Sequence, residues 1–139
     1  DKVGLPIVIH SRDSAQDTLE ILTEHKHLLK WGGVMHCYSY SAEMMAEFEK
    51  LGLSFSFGGT STFKNAKKTQ ECVQRADKTR ILSETDCPYL TPHPHRGKRN
   101  DSGYLYHTVE MLSQLHGMSP ENMAALTMQN AMRLFEITL

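Results

Sequence analysis

The sequence predicts an α/β fold with a parallel sheet. Short apolar runs alternate along the chain with segments whose apolar residues recur at helical spacing, and this order repeats four times. Repeated strand–helix units typically form parallel strands joined by helical crossovers. The 139 residues fit a free-standing doubly wound sheet, whereas a complete eight-stranded barrel needs about 250 residues and would leave this chain as half a barrel. Length alone favours the doubly wound sheet.

Four runs of apolar and β-branched residues predict the strands. Each run is short, as expected for strands that are buried by helical layers. The third run alternates apolar and small polar residues and ends at Gly58-Gly59. The predicted strands span residues 5–10, 32–37, 53–57 and 81–86.

Helical spacing and terminal signals predict five helices. The first contains an apolar stripe and follows Ser11 or Asp13, either of which can cap it. The second follows Ser41 and ends before Gly52, which suits a left-handed cap. The last follows Ser119, with proline at its first position. The other predicted helices span residues 66–76 and 104–116, and the last one spans residues 120–135.

Composition narrows the class of protein. Hydrophobic residues make up 40% and charged residues 22%, which excludes a disordered chain, and no apolar run is long enough to span a bilayer. A net charge of −1 excludes a strongly basic nucleic-acid coat but not a local basic patch. The opening residues Asp1 to Gly4 lack the apolar segment of a secretion signal and include no initiator methionine. We therefore expect the chain to begin inside a longer protein.

Cysteine usage predicts the compartment. The chain has three cysteines, which is an odd number, and their spacing suggests no pairing. Free thiols are typical of a reducing environment. We therefore expect a cytoplasmic protein with no membrane partner.

Three of the predicted strands end on a residue that can bind a metal ion. These residues are His10, His36 and Asp86. In parallel α/β folds the carboxyl ends of the strands face one rim, where ligands bind, so the three side chains should converge although they are distant in sequence. Imidazole and carboxylate suit a divalent ion such as zinc, manganese or magnesium. The sequence therefore predicts a shared metal or catalytic site.

Basic residues at two places are candidates for binding phosphate. Arg12 lies two residues beyond His10 and so shares its face of the strand; it could bind a phosphate or pair with Glu84 as a structural ion pair, and both interpretations stay open. A proline-rich segment after the fourth strand contains further cations, whose forked side chains match phosphate oxygens. They are Arg96, Lys98 and Arg99. The structural alternative is a solvated loop whose arginines pair with nearby acids.

Five motifs in order along the chain resemble those of the TatD family of metal-dependent deoxyribonucleases, in the amidohydrolase-like superfamily. They are LPIVIHSRD, GGVMHCYS, SFGG, ETDCPYLTPHPHRGKRN and NAMRLF. Members of this family are (β/α)8 barrels of roughly twice this length. The resemblance implies that residues 1–139 are a single partial domain, the C-terminal half of such a barrel with strands five to eight. It reverses the preference for a doubly wound sheet that length alone gives.

The resemblance also implies roles for the candidate residues. His10, His36 and Asp86 match the family's metal ligands on strands five, six and eight, with Asp86 also the catalytic residue. The family's His-x-His and Glu ligands of strands one and four are missing from this sequence.

The implied cofactor is one or two divalent ions, with magnesium expected first and zinc or manganese as alternatives. Arg12, Arg96, Lys98 and Arg99 would bind the phosphate of a DNA substrate, in a 3′–5′ exonuclease-like reaction. The alternatives are hydrolysis of an amide or ester bond, or an inactive half-barrel that pairs with its missing N-terminal half or with itself.

Overall fold

A four-stranded parallel sheet forms the centre of the structure. The structure is a computed structural model and describes residues 3–138. Asp1, Lys2 and Leu139 lie outside the described residues. The expectation about the start of the chain rests partly on Asp1 and Lys2. The strands lie in sequential order. They are β1 (Ile7–Ile9), β2 (Gly33–Met35), β3 (Ser54–Phe57) and β4 (Ile81–Ser83). Sequential order contradicts the doubly wound alternative, because a doubly wound sheet reverses its strand order at a switch point.

Within residues 3–138, five α-helices connect and follow the strands. They are α1 (Ala15–Glu24), α2 (Ala42–Lys50), α3 (Lys67–Arg75), α4 (Leu105–His116) and α5 (Pro120–Phe135). Short 3-10 helices precede β2 and β4, at Lys26–Leu28 and Lys78–Arg80, and others follow β3 and precede α4, at Gly59–Thr62 and Ser102–Tyr104. No helix within residues 3–138 has the length and apolar character needed to cross a membrane.

Most of the predicted helix ends are confirmed, and one is wrong. The Ser41 hydroxyl accepts a hydrogen bond from the Met44 N–H at 3.3 Å. Gly52 has a φ of 82°, so it takes the left-handed conformation expected after α2. Helix α1, however, begins after Ser14, and neither Ser11 nor Asp13 caps it. Asp13 has a φ of 55°, and the turn that it makes moves the start of the helix beyond it.

Helices cover one face of the sheet, and on the opposite face the edge strand β1 is the exposed part. The register aligns Met35 with Phe55 and Phe55 with Ile81, and these three side chains belong to the core that packs against the helices. The register also aligns Val8 with Val34 on the opposite face, and neither belongs to this core. Val34 is only 4% exposed there. Val8 is 61% exposed on the edge strand β1. A sheet with helices on one face is the layer arrangement of a barrel wall.

The strands are shorter than the sequence predicts, most clearly at their carboxyl ends. Ladder pairing on β4 ends near Glu84, whose N–H donates to the Phe57 carbonyl at 3.1 Å. Asp86, predicted as the last strand residue, has a φ of 53°, which an extended strand does not allow. The chain therefore turns at Asp86, and its side chain projects from a bend at the rim of the sheet.

Candidate active site

The structure brings four of the predicted site residues to one small cavity. His10, Arg12, His36 and Asp86 line a cavity of about 130 Å³ at the carboxyl ends of the strands. His10 and His36 follow β1 and β2 directly, and their ring centres lie 5.8 Å apart. The convergence results from the parallel sheet, since the carboxyl ends of neighbouring strands meet at one rim. The roles of these residues as metal ligands stay a prediction.

His36 is held between two carboxylates. Its Nδ1 lies 2.5 Å from Glu84 Oε2, and its Nε2 lies 3.3 Å from Asp86 Oδ1. When Nδ1–H donates to Glu84, the neutral imidazole turns an unprotonated Nε2 toward Asp86. Nε2 of His36 and Oδ1 of Asp86 are then two hydrogen-bond acceptors that face each other. Either a proton on Nε2 or a cation bound to both atoms satisfies the two acceptors. The Glu84 contact thus orients His36 as a metal ligand would be oriented.

The distance between His36 and Asp86 fits two ligands of one ion. Atoms bound at about 2.1 Å to the same ion lie about 3.0–3.4 Å apart at octahedral or tetrahedral angles, and the observed separation is 3.3 Å. Within residues 3–138, however, no group of three or more His, Cys, Asp or Glu side chains is arranged to hold a metal ion. The described residues therefore offer part of a ligand set, and His10 lies at the cavity without completing it.

Arg12 and Glu84 do not form the ion pair that the sequence left open. Glu84 uses its Oε2 to accept from His36, and Arg12 forms no ion pair with any carboxylate in the described part of the chain. The ion-pair interpretation is therefore wrong. Arg12 is exposed at the wall of the cavity, where an anionic ligand would meet its guanidinium.

The three cations of the proline-rich segment lie outside this cavity. The Arg96 guanidinium stacks over the Phe63 ring at 4.3 Å. Arg99 lines a separate cavity of about 460 Å³, together with Pro88. Lys98 is exposed. The predicted contact of Arg96, Lys98 and Arg99 with phosphate is therefore not a contact inside the 130 Å³ cavity, and it stays a prediction for the surrounding surface.

Cys37 lines the cavity but has no nucleophilic character. Burial, followed by the negative charges of Glu84 and Asp86, raises the pKa of the Cys37 thiol to about 12. The thiol is therefore protonated at neutral pH, whereas the thiolate is the nucleophilic form.

Sequence reasoning did not foresee two features of the rim. The contact of Glu84 with His36 was missed, although alternation along the strand placed Glu84 on the same face as Asp86. Gly59 was noted only as the end of a strand. A Cβ atom at Gly59 would lie 2.1 Å from the Leu90 carbonyl oxygen, so only glycine permits the two rim loops to approach so closely.

Replacing Glu84 with Gln should weaken the binding of a divalent metal ion about tenfold. Gln keeps the size and can still accept from Nδ1–H, but it loses the charge that makes the His36 imidazole a stronger ligand. Titration calorimetry with the divalent ion measures the change. Glu47→Gln, which alters an exposed carboxylate paired with Lys50, is the control. Equal affinities for Glu84→Gln and the parent would contradict the assigned role.

A parallel sheet with helices on one face, and with imidazole and carboxylate groups at its strand ends, is typical of the metal-dependent hydrolases built on α/β barrels. The comparison with protein families agrees: residues 1–136 match the family described as TatD related DNase. The chain belongs to the TatD family.

Similar proteins in two bacteria carry names of the same class. The chain is 48% identical over 136 residues to the uncharacterized metal-dependent hydrolase YabD of Bacillus subtilis, covering 98% of this chain and 53% of that protein. It is 39% identical over 136 residues to the uncharacterized metal-dependent hydrolase YcfH of Escherichia coli K12, covering 98% and 51%. The chain thus spans about half the length of these relatives.

A solved structure has the same fold. The crystal structure of YJJV, a TatD homolog from Escherichia coli K12, superposes with a TM-score of 0.91 at 26% sequence identity. The match covers 99% of this chain and 52% of that one. The four-stranded unit described above therefore corresponds to about half of a TatD structure.

Proposed function

We propose that this chain forms strands five to eight, the C-terminal half, of a divalent-metal-dependent deoxyribonuclease. The sequential parallel sheet with helices packed on one face supports this arrangement, as does the match to about half of each relative. The N-terminal half of the barrel, or a second copy of the chain, is the partner that would pair with the exposed edge strand β1. The cytoplasm is the proposed compartment, which the free thiols of Cys37, Cys72 and Cys87 support.

The pair of His36 and Asp86 is the observation that carries the proposal. Their facing atoms are spaced as two ligands of one ion are, and His10 lies at the same cavity. We propose magnesium first, since a hard cation suits carboxylate and phosphate oxygens, with zinc or manganese as alternatives and one or two ions in all. A bound divalent ion would polarise the phosphorus–oxygen bonds and lower the pKa of a water molecule.

The chain's own residues have separate tasks in this proposal. Asp86 would orient the attacking water and accept its proton. Glu84 holds the His36 ring so that Nε2 faces the reacting centre. Arg12, at the cavity wall and without a carboxylate partner in the described part of the chain, would bind the scissile phosphate. Arg12 favours a phosphodiester over the amide or ester alternative, because a phosphodiester is already anionic when it binds, whereas an amide or ester group is neutral until the reaction is under way.

The proposal is tested with the full-length protein that carries this chain and with DNA strands labelled at either end. We expect cleavage that needs an added divalent ion and removes nucleotides from the 3′ end, as in a 3′–5′ exonuclease. Magnesium, manganese and zinc are compared after chelation and dialysis, and an amide and an ester substrate are run beside DNA. Metal-dependent hydrolysis of the amide or ester with none of DNA would show that the phosphodiester assignment is wrong.

A further inference from the structure

A group of lysines lies beside the candidate site, and the proposed function assigns no task to them. Lys64, Lys67 and Lys68 are exposed, on the segment that leads from β3 into α3. Thr60 and Thr69, on either side of this group in the sequence, both line the 130 Å³ cavity. The three lysines therefore belong to a segment that begins and ends at the wall of the cavity.

The lysine segment is packed against the loop that follows Asp86. Arg96 of that loop stacks on the Phe63 ring at 4.3 Å. The His93 N–H donates to the Thr62 hydroxyl at 2.8 Å, and the close approach of Gly59 to the preceding part of the loop adds a third contact. Arg96 is thus held against the segment that carries the lysines, and these four cations are together called the basic surface.

No carboxylate neutralises this surface. In the part of the chain that the structure describes, neither Arg96 nor any of the three lysines forms an ion pair. Two acids of α2 and α3, Glu43 and Glu71, pair instead with Arg75, at 3.5 and 3.3 Å. Grouped cations without counter-charges repel one another, and they attract a polyanion to the surface that carries them.

We propose that Lys64, Lys67, Lys68 and Arg96 bind the backbone phosphates of a single nucleic acid strand at positions beyond the bond that is cut. This inference rests on the proposed function and assigns residues to the part of the strand that lies outside the cavity. Backbone contacts of this kind track a strand without reading its sequence. The small cavity would hold the reacting phosphate, and the basic surface would hold the nucleotides that lead away from it.

Two triple variants of the full-length protein test the inference. The first replaces the lysines of the basic surface and carries Lys64→Ala, Lys67→Ala and Lys68→Ala. The control removes the same charge from positions that precede strands, at the opposite end of the sheet, and carries Lys26→Ala, Lys50→Ala and Lys78→Ala. Binding is measured by fluorescence anisotropy with labelled strands of about 12 nucleotides, across a salt series and without added metal so that no strand is cut.

The first variant should bind the strand at least about tenfold more weakly than the parent at low salt. The slope of log affinity against log salt should fall by about 2, since each lost contact to a single strand contributes about 0.7. The control should keep the parent's slope. DNA and RNA strands of the same sequence are both tested: equal losses show recognition of the shared backbone, and a loss for only one polymer identifies that polymer as the ligand.

Cleavage separates failure of this inference from failure of the proposed function. In the first variant, KM should rise at least about tenfold for the long strand, whereas a dinucleotide, with one phosphodiester bond, should be cleaved as by the parent. The parent could bind the strand through the lysines and yet cut no nucleic acid. That result would refute the proposed hydrolysis and support the assignment of the lysines to strand binding. Equal losses of binding in the first variant and the control would overturn the inference, whether or not the parent cuts DNA.

Discussion

Replacing Asp86 with Asn should lower the turnover of the full-length enzyme by at least about 100-fold, the low end of what general acid–base catalysis contributes. Asn keeps the size of the side chain and tolerates the positive φ that Asp86 adopts. It loses the charge that a hard cation and a proton acceptor both need. The carboxylate oxygen that lies 3.3 Å from His36 Nε2 would become a weak, neutral ligand.

Turnover is measured on DNA with saturating metal, and metal content is measured in parallel. Asp77→Asn is the matched control, because Asp77 precedes β4 at the other end of the strand and Asn can still accept the hydrogen bond from the Thr79 N–H. We expect that variant to retain the turnover of the parent. Turnover near the parent's for Asp86→Asn, with metal bound, would show that another group holds the hydrolytic water.

The 139-residue chain made alone should self-associate and show little or no nuclease activity. Its edge strand β1 has unpaired backbone groups, which invite pairing with another chain. Apolar side chains along that edge are uncovered: Val3, Leu5 and Val8 are each more than 60% exposed. Burying such surface stabilises an assembly by about 25 cal/mol per Å². The isolated chain also offers only part of a metal-ligand set, because residues 3–138 contain no group of three or more side chains arranged to hold a metal ion.

Light scattering gives the mass in solution, with the full-length protein at the same concentration as the reference. Val8→Lys should reduce the association, because a charge on an edge strand opposes pairing. Tyr106→Lys is the matched control, because Tyr106 on α4 is 59% exposed and Val8 is 61% exposed. A monodisperse chain with full metal-dependent nuclease activity would refute this expectation, and so would association that depends on Tyr106 instead of Val8.

The fold was predictable from sequence where it depends on spacing along the chain. Apolar periodicity located the four strands and five helices that the structure describes, because a buried strand and a helix with one buried face each produce a regular spacing of apolar residues. The buried Phe48 and Cys72 lie where that periodicity places them. The limits of the elements were less accessible, since they depend on single backbone torsions such as the positive φ of Asp13 and Asp86. No propensity specifies those torsions before the tertiary contacts are made.

The candidate site was predictable where backbone geometry alone positions a side chain. His10, His36 and Asp86 reach one cavity because the strands that carry them are parallel. Positions of long side chains on loops were not predictable in the same way. The stacking of Arg96 on Phe63 depends on how two loops pack, and neither loop has a periodic signal.

The sequential order of the strands bears on how the protein is made. The closest packing joins elements of the same strand–helix unit or of consecutive units, such as β3 with β4 and α4 with α5. Each unit therefore finds its main partners as soon as the next one leaves the ribosome, and no early segment waits for a distant one. At every stage the first strand and the newest strand each have one unpaired edge. In a barrel these two edges pair only when the first and last strands meet. Premature termination therefore leaves unpaired strand edges, which can bind another chain and which a complete barrel does not have.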